Sequence, residues 1–372
     1  MIYADNAATT KLCEQAFDAM KPYLLEQYGN ASQPYSFSRI AKKALQSARK
    51  TIADCIGALP DEIYFTSGGT ESDNWAVKSA LFMPYSKNEV ITSEIEHHAI
   101  LNSCHTVQEL GIPVHYLPVD TYGVVRPETL EKTISDKTGF VSVMYGNNEI
   151  GTIEPVAELA EISHAHGALF HTDAVQAVGH VPINVHEDGI DLLSSSAHKF
   201  NGPKGIGFLY IRKGVHIHSY ADGGSQEKGL RAGTENIAAI VGMAEALRLN
   251  TDRINESAGK LQSLEIALLS GLHKSNLDFI RNGSEYLLPG NVSLSFHAAD
   301  GEMLLHRLDL MGICISTGSA CDSVNTQVSH VIQAIHIPEE YAEGTIRITF
   351  GSDNTEADAL EIANAIIKVL KQ

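Results

Sequence analysis

No run of this 372-residue chain is apolar for long enough to cross a bilayer, and no two of its five cysteines stand as a Cys-x-x-Cys pair. The first absence excludes a membrane-spanning helix. The second, with an odd cysteine count, excludes a complete disulfide framework and a cysteine-rich zinc site, and leaves at least one thiol free. Positive charge is scarce as well: 27 Lys and Arg face 45 Asp and Glu, a formal net charge of −18. Such a surface repels phosphate backbones and anionic lipids, so neither nucleic acid nor membrane is expected as a direct partner. The opening residues Met1 to Asp5 carry neither the basic region nor the apolar stretch of a signal peptide, and a cytoplasmic location is expected. Repeats and linker-like tracts are missing too. What is present is 44% hydrophobic and 19% charged residues, which excludes disorder and suits a chain of two domains.

Hydrophobic periodicity predicts a helix over 38–57, with Ile40, Ala44, Leu45, Ala48, Ile52 and Ile56 on one face and Gly57 as its stop. A strand at 62–66 follows, broken by Gly68-Gly69 before a helix at 71–81. Strand-like runs recur at 89–92, 114–118, 138–145, 168–172, 192–195 and 207–211, with helical patterns at 99–110 and 156–166 between them. This alternation predicts an α/β fold whose mostly parallel sheet is covered on both faces. After about residue 249 the pattern changes to a helix at 253–272, strands at 291–296 and 345–350, and a helix at 356–370. The expected division is a large domain over 15–250 and a smaller α+β domain made of 1–14 and 251–372.

Three segments carry candidate chemistry. In Ser194 to Gly207 an apolar strand runs into Ala197-His198-Lys199 and a Gly-Pro-Lys-Gly turn. A lysine held there and desolvated could form a Schiff base, although a solvated lysine on a surface turn fits the local pattern equally well. The strand 168–172 leads into Asp173, with Gln176 three residues on. An acid at a strand's carboxyl end could pair with the ring nitrogen of pyridoxal phosphate, or simply cap a helix. The third, Thr66-Ser67-Gly68-Gly69-Thr70-Glu71-Ser72, joins a strand to a helix whose free N–H groups could cradle a phosphate. It has neither the lysine of a P-loop nor the spacing of a dinucleotide site. The three together are far more specific than any one alone.

With these segments in place, the chain resembles the class V, fold-type I pyridoxal-phosphate enzymes, and among them the NifS/IscS-type cysteine desulfurases. The likeness also rests on Tyr3 to Thr10, Glu96-His97-His98-Ala99, Asn147 to Gly151, Ser316-Thr317-Gly318-Ser319-Ala320-Cys321 and Ile346-Arg347. It implies that Lys199 holds pyridoxal 5′-phosphate as a Schiff base, that Asp173 pairs with the ring nitrogen, and that Gln176 bonds the phenolic oxygen. His97 would stack on the ring and act as an acid–base group. Thr70, Ser196 and His198, with the Gly69 backbone, would grip the phosphate. Thr234 would reach the phosphate of a neighbouring subunit, making a homodimer with a shared active site. Asn148 and Arg347 would hold the substrate carboxylate. The implied reaction converts L-cysteine to L-alanine, leaves the sulfur on Cys321 as a persulfide, and passes it to an acceptor protein. Another class V activity (an aminotransferase or a cysteine or selenocysteine lyase) and a mainly docking role in sulfur trafficking are the alternatives.

Local context agrees on the cysteine. Cys321 lies among small polar residues, whereas Cys314 sits between Ile313 and Ile315 and reads as core. Cys13, Cys55 and Cys104 fall in helical patterns, where structural roles are expected. Among 17 histidines, His164-x-His166 with His171-x-Asp173 is the tempting metal spacing. Its first pair ends a helix, where histidines answer the helix dipole, and no metal site is expected.

Overall fold

The computed structural model describes residues 1–317 and 328–371. Among them, seven strands build the larger sheet, in the order Ile63–Thr66, Gly207–Ile211, Leu192–Ser196, Leu169–Asp173, Thr138–Ser142, Glu89–Ser93 and Val114–Leu117. The last five run parallel. Gly207–Ile211 is antiparallel to both neighbours, because the turn after Ser196 is too short for the dozen or more residues that a parallel crossover needs. Alternate residues of each strand enter opposite cores. Phe65, Val141, Phe170 and Leu193 pack on one side, and Tyr64, Phe140, Leu192 and Leu209 on the other. Both faces are therefore covered, as a largely parallel sheet requires.

The helix Ser38–Ile56 illustrates how these covers form. Its buried stripe is Ala41, Ala44, Ala48, Ile52 and Ile56, and Gly57 ends it in the left-handed region at φ 70°. Ile40, expected in the stripe, is 49% exposed. The seam runs one residue later because small alanines allow close approach to the helix Ile237–Asp252.

The smaller sheet has four antiparallel strands, ordered Ser316–Thr317, Thr345–Thr349, Asn291–Phe296 and Phe279–Asn282. It has its own core, in which Leu264 and Leu268 of the helix Ile254–His273 and Ile362 and Ile366 of the helix Glu356–Leu370 cover Leu294, Ile346 and Ile348. The chain's start belongs beside this unit: Ile2–Tyr3 pairs in parallel with Ile313–Cys314. Cys314 is half-buried rather than core, because its strand is only two residues long with that single short partner. No helix among the described residues is long and apolar enough to cross a membrane.

Turns at the carboxyl ends of the parallel strands are braced by buried polar groups. Glu96, after the strand Glu89–Ser93, accepts from Ser93 Oγ at 2.6 Å and from Met144 N at 2.9 Å, while its second oxygen has no partner. Burial pushes its carboxyl up to about 8. A folded-state pKa raised in this way gives stability that is complete below the unfolded value near 4.5 and lost as pH rises through about 8. Glu96→Gln keeps the acceptor and cannot ionise. Its unfolding free energy should therefore gain on the wild type steadily between pH 5 and pH 8, by up to about 1.4 kcal/mol per pH unit, read as a growing difference in melting temperature. A difference independent of pH in paired thermal melts would contradict this assignment.

Candidate active site

The parallel strands end along one edge, and the segments leaving them enclose a cavity of about 560 Å³. Ligand sites of open α/β sheets form at this edge. Lys199, Asp173, Gln176, His97 and Asn148 all line it, and so do Gly69, Thr70, Ser196, His198 and Arg347. Every described residue expected in the site is thus brought to one cavity except Thr234, which is exposed and outside its lining. Cys321 lies outside the described residues.

Each side chain is held for a local reason. Asp173 is the last residue of its strand, one position beyond the expected end, and its Oδ1 accepts from Val175 N at 2.9 Å. Burial raises its pKa, with His97, that N–H and Lys199 pulling the other way. Lys199 closes a 3₁₀ turn after the strand Leu192–Ser196. Its Nζ donates to the carbonyls of Ala7 at 2.5 Å and Ala8 at 3.0 Å. Gln176 Nε2 also donates to Ala7 O, at 3.0 Å, and His198 Nδ1 lies 3.1 Å from Thr9 Oγ1. Ala7, Ala8 and Thr9 therefore form one wall of the cavity.

His97 caps the helix His98–Glu109, its Nδ1 accepting from Ala99 N at 3.2 Å. That bond leaves the proton of the neutral ring on Nε2. Burial lowers its pKa; Asp173 opposes the shift, and Lys199 and His98 add to it. His198 is pushed down to about 4 by burial and by the charges of Lys199 and Lys204. Both imidazoles are neutral at pH 7.

The expected phosphate turn opens earlier than the periodicity predicts. The helix runs Gly69–Lys78, not from 71, so Gly69 and Thr70 lie in its first turn, and Gly68 holds φ 150°. A Cβ on Gly69 would stand 2.6 Å from Val175 Cγ2, so only glycine lets the backbone sit this close to the segment after Asp173. Glu71 accepts from Ser67 N at 3.0 Å and takes a two-pronged bond from Arg231, at 2.8 and 3.1 Å. This pair ties the segment bearing Thr234 to the turn.

At the other end, Arg347 projects from the smaller sheet. It is 3% exposed, bonds Asp5 Oδ1 at 2.7 Å and Asn148 O at 3.0 Å, and keeps an unspent Nε–H. The arrangement fits pyridoxal phosphate: an amine, a buried acid, a neutral imidazole and a helix N-terminus with a glycine-only approach share one cavity, and a buried carboxyl oxygen there, Asp73 Oδ1, has no partner.

Asp73 was given no role by the sequence. The signal was available, since an acid on the helical face of Gly69, Ala76 and Val77, all buried, is an anomaly. Asp73, His97 and Asp173 offer ligand atoms all within 4.8 Å of one another, the one such trio among the described residues. The histidine spacing singled out earlier does not converge. His164 pairs with Asp191, His166 faces Glu131, and His171 is bonded to Ser142 and Ser194.

Comparison with known proteins agrees with this geometry. The family Aminotransferase class-V matches residues 2–361. Cysteine desulfurase IscS of Dictyoglomus turgidum is 47% identical, over all of this chain and 95% of its own length. The IscS of Methanosarcina thermophila is 46% identical, over all of this chain and 93% of its length. A solved NifS-like protein superposes with a TM-score of 0.94 at 37% identity, covering 100% of this chain and 99% of that one. The chain belongs to the class-V aminotransferase family, in the branch of the IscS- and NifS-like cysteine desulfurases.

Proposed function

We propose that the cavity desulfurates L-cysteine, yielding L-alanine and a persulfide on Cys321 whose sulfur then passes to an acceptor protein. The observation that carries this reading is the convergence of Lys199, Asp173 and His97 with Arg347 of the other sheet around one cavity. Cysteine desulfurase relatives of full length stand behind it, and they do not favour an aminotransferase or a lyase. Pyridoxal 5′-phosphate, joined to Lys199, supplies an electron sink that loosens the α-proton and the Cβ–S bond of a bound amino acid.

The chain's own residues do the rest. Thr70, Ser196, His198 and the N–H groups at Gly69 and Thr70 hold the phosphate. Asp173 stays ionised against the ring nitrogen, and Gln176 addresses the ring's oxygen. Arg347 and Asn148 take the substrate carboxylate, with Asp5 fixing the guanidinium plane and the Nε–H left to pair. Lys199 moves the α-proton, and His97 exchanges a proton at Nε2. The Cys321 thiolate attacks the substrate sulfur. An S–S bond forms as the Cβ–S bond breaks, and the electron pair stays with carbon, which takes a proton on the way to alanine.

Thr234, exposed in one copy, would meet the phosphate of a second. Exposed apolar side chains support the dimer: Phe17, Leu24, Leu25, Tyr28, Tyr35 and Ile40 are 49–72% exposed within one stretch of chain. A cytoplasmic location suits a thiol that must stay reduced. The two cores support a division into a large domain over 15–250 and a small one of 1–14 and 251–372.

Lys199→Ala should abolish the yellow absorbance of the holoprotein; wild type that stays colourless with added pyridoxal phosphate would sink the cofactor assignment. Cys321→Ala should keep the colour and lose alanine formation from cysteine by about 10³-fold or more. Intact-mass analysis of wild type with cysteine should place one added sulfur on Cys321, and undiminished turnover in the variant would assign the step elsewhere. Gly69→Ala should weaken cofactor binding about tenfold, the scale of one overpacked methyl. Val175→Ala in the same chain should restore most of it, as measured by absorbance titration.

A further inference from the structure

We propose that Asp73 is a positioning residue that stays protonated beside Asp173, so that Asp173 alone carries the charge facing the cofactor's ring nitrogen. The inference rests on the pyridoxal-phosphate reading and adds to it a second acid that the site's chemistry does not otherwise use.

The surroundings of the two acids differ. Asp73, on the helix Gly69–Lys78, is 1% exposed and faces no cation. The groups turned toward it are Asp173 and His171 from the strand Leu169–Asp173, Ser194 from the next strand, and Glu96 and His97 from the turn after Ser93. His171 Nε2 is 3.9 Å away, but burial pushes that imidazole down to about 3. Its nitrogens are already engaged with Ser142 Oγ at 2.8 Å and Ser194 Oγ at 3.0 Å. The Glu71 carboxylate on the same helix is taken by Arg231. Among the described residues the one donor to Asp73 is the Ser194 hydroxyl, and Oδ1 has no partner. A buried carboxylate needs several donors, whereas a neutral acid needs few.

Asp173 is provided for differently, with the Val175 N–H on Oδ1 and with His97 and Lys199 nearby. Two carboxyls this near one another, both almost wholly buried, do not both ionise, and with one donor on each the proton settles on the one that lacks the Lys199 charge. Burial, and then the charge of Asp173, push the Asp73 carboxyl well above its ordinary range.

A second structural element supports the assignment. Ser142, His171, Ser194 and Asp73 form a continuous hydrogen-bonded row beneath the strand ends. It holds no formal charge when His171 and Asp73 are both neutral. A neutral row under the ring leaves Asp173 as the single negative centre, which gives the ring nitrogen one defined partner.

The test compares Asp73→Asn and Asp73→Leu in the full chain loaded with pyridoxal phosphate. Cofactor affinity is read from quenching of Trp75, the chain's one tryptophan, on the same helix. The pH titration of the cofactor's absorbance is the second readout. Asp73→Asn, which mimics the neutral acid, should bind within about twofold of wild type from pH 6 to pH 9, with an unchanged absorbance titration. Asp73→Leu, which removes the polar group, should bind about tenfold more weakly, the scale of one buried hydrogen bond. The proposal is overturned if Asp73→Asn is as weak as Asp73→Leu, if Leu matches wild type, or if wild type shows an ionisation in that range that Asn lacks. Should the variants not fold, carbon-13 labelling of aspartate in wild-type holoprotein decides the matter. A protonated-aspartate infrared band at pH 8 supports the proposal, and its absence overturns it. Wild type that binds no pyridoxal phosphate would instead sink the cofactor reading, and the infrared band of the cofactor-free protein would still report on Asp73.

Discussion

The ion pair between Asp5 and Arg347 joins parts of the chain that would otherwise share no site. Arg347 comes from the smaller sheet, Asp5 from the chain's first residues, and the guanidinium also donates to Asn148 O beyond the larger sheet. Three remote segments are thus drawn to one point. Because the pair is buried, its desolvation is offset only if every partner is in place, which makes it a specifier of arrangement more than a source of stability. Immediately after Asp5, the Ala7 and Ala8 carbonyls receive Lys199 and Gln176, and Thr10 bonds the His198 carbonyl. The lysine's position therefore depends on a segment anchored in the other core.

The site that results is electrostatically uneven in a useful way. His97 and His198 are neutral, the lysine is cradled by carbonyls, and Asp173 is buried at the carboxyl end of a parallel strand. Negative potential collects around Asp173, and N–H groups and hydroxyls collect at the helix N-terminus of Gly69 and Thr70. The surplus of acidic side chains over the whole molecule would repel a phosphorylated ligand. The glycine turn presents backbone dipoles at short range, where they outweigh screened surface charge.

Much of this was legible beforehand, for physical reasons that can be named. Strand ends followed by Asp173 or by Lys199 and its glycine-proline turn stand out because both chemistry and backbone restriction coincide there. The helix ended by Gly57 was readable from its period and its stop. Relations between distant residues were not readable. The Arg231–Glu71 fork spans 160 positions, and Ile40 was assigned to a buried stripe that runs one residue away. Asp73, just past the Thr66–Ser72 motif, was given no role, because its burial is a property of the sheet it faces and not of its neighbours in sequence. Cys314 was read as core from its flanking isoleucines, yet a two-residue strand covers it only in part. Cys321, proposed above to take the sulfur, lies outside the described residues.

The pairing of Ile2–Tyr3 with Ile313–Cys314 also bears on when the site comes into being. During synthesis Ile2 and Tyr3 find their strand partner only after some 300 more residues have been added. The larger sheet, built from residues 63–211, has all its strands long before that. Its cavity then lacks the wall formed by Ala7 and Ala8, which settles only when the late strand arrives. Contacts of such long sequence separation form slowly, because loop closure must be met before they reward it. A nascent chain can thus present a folded sheet with an unfinished pocket. The lysine gains its carbonyl cradle, and with it a defined approach for the cofactor, as one of the last events of folding.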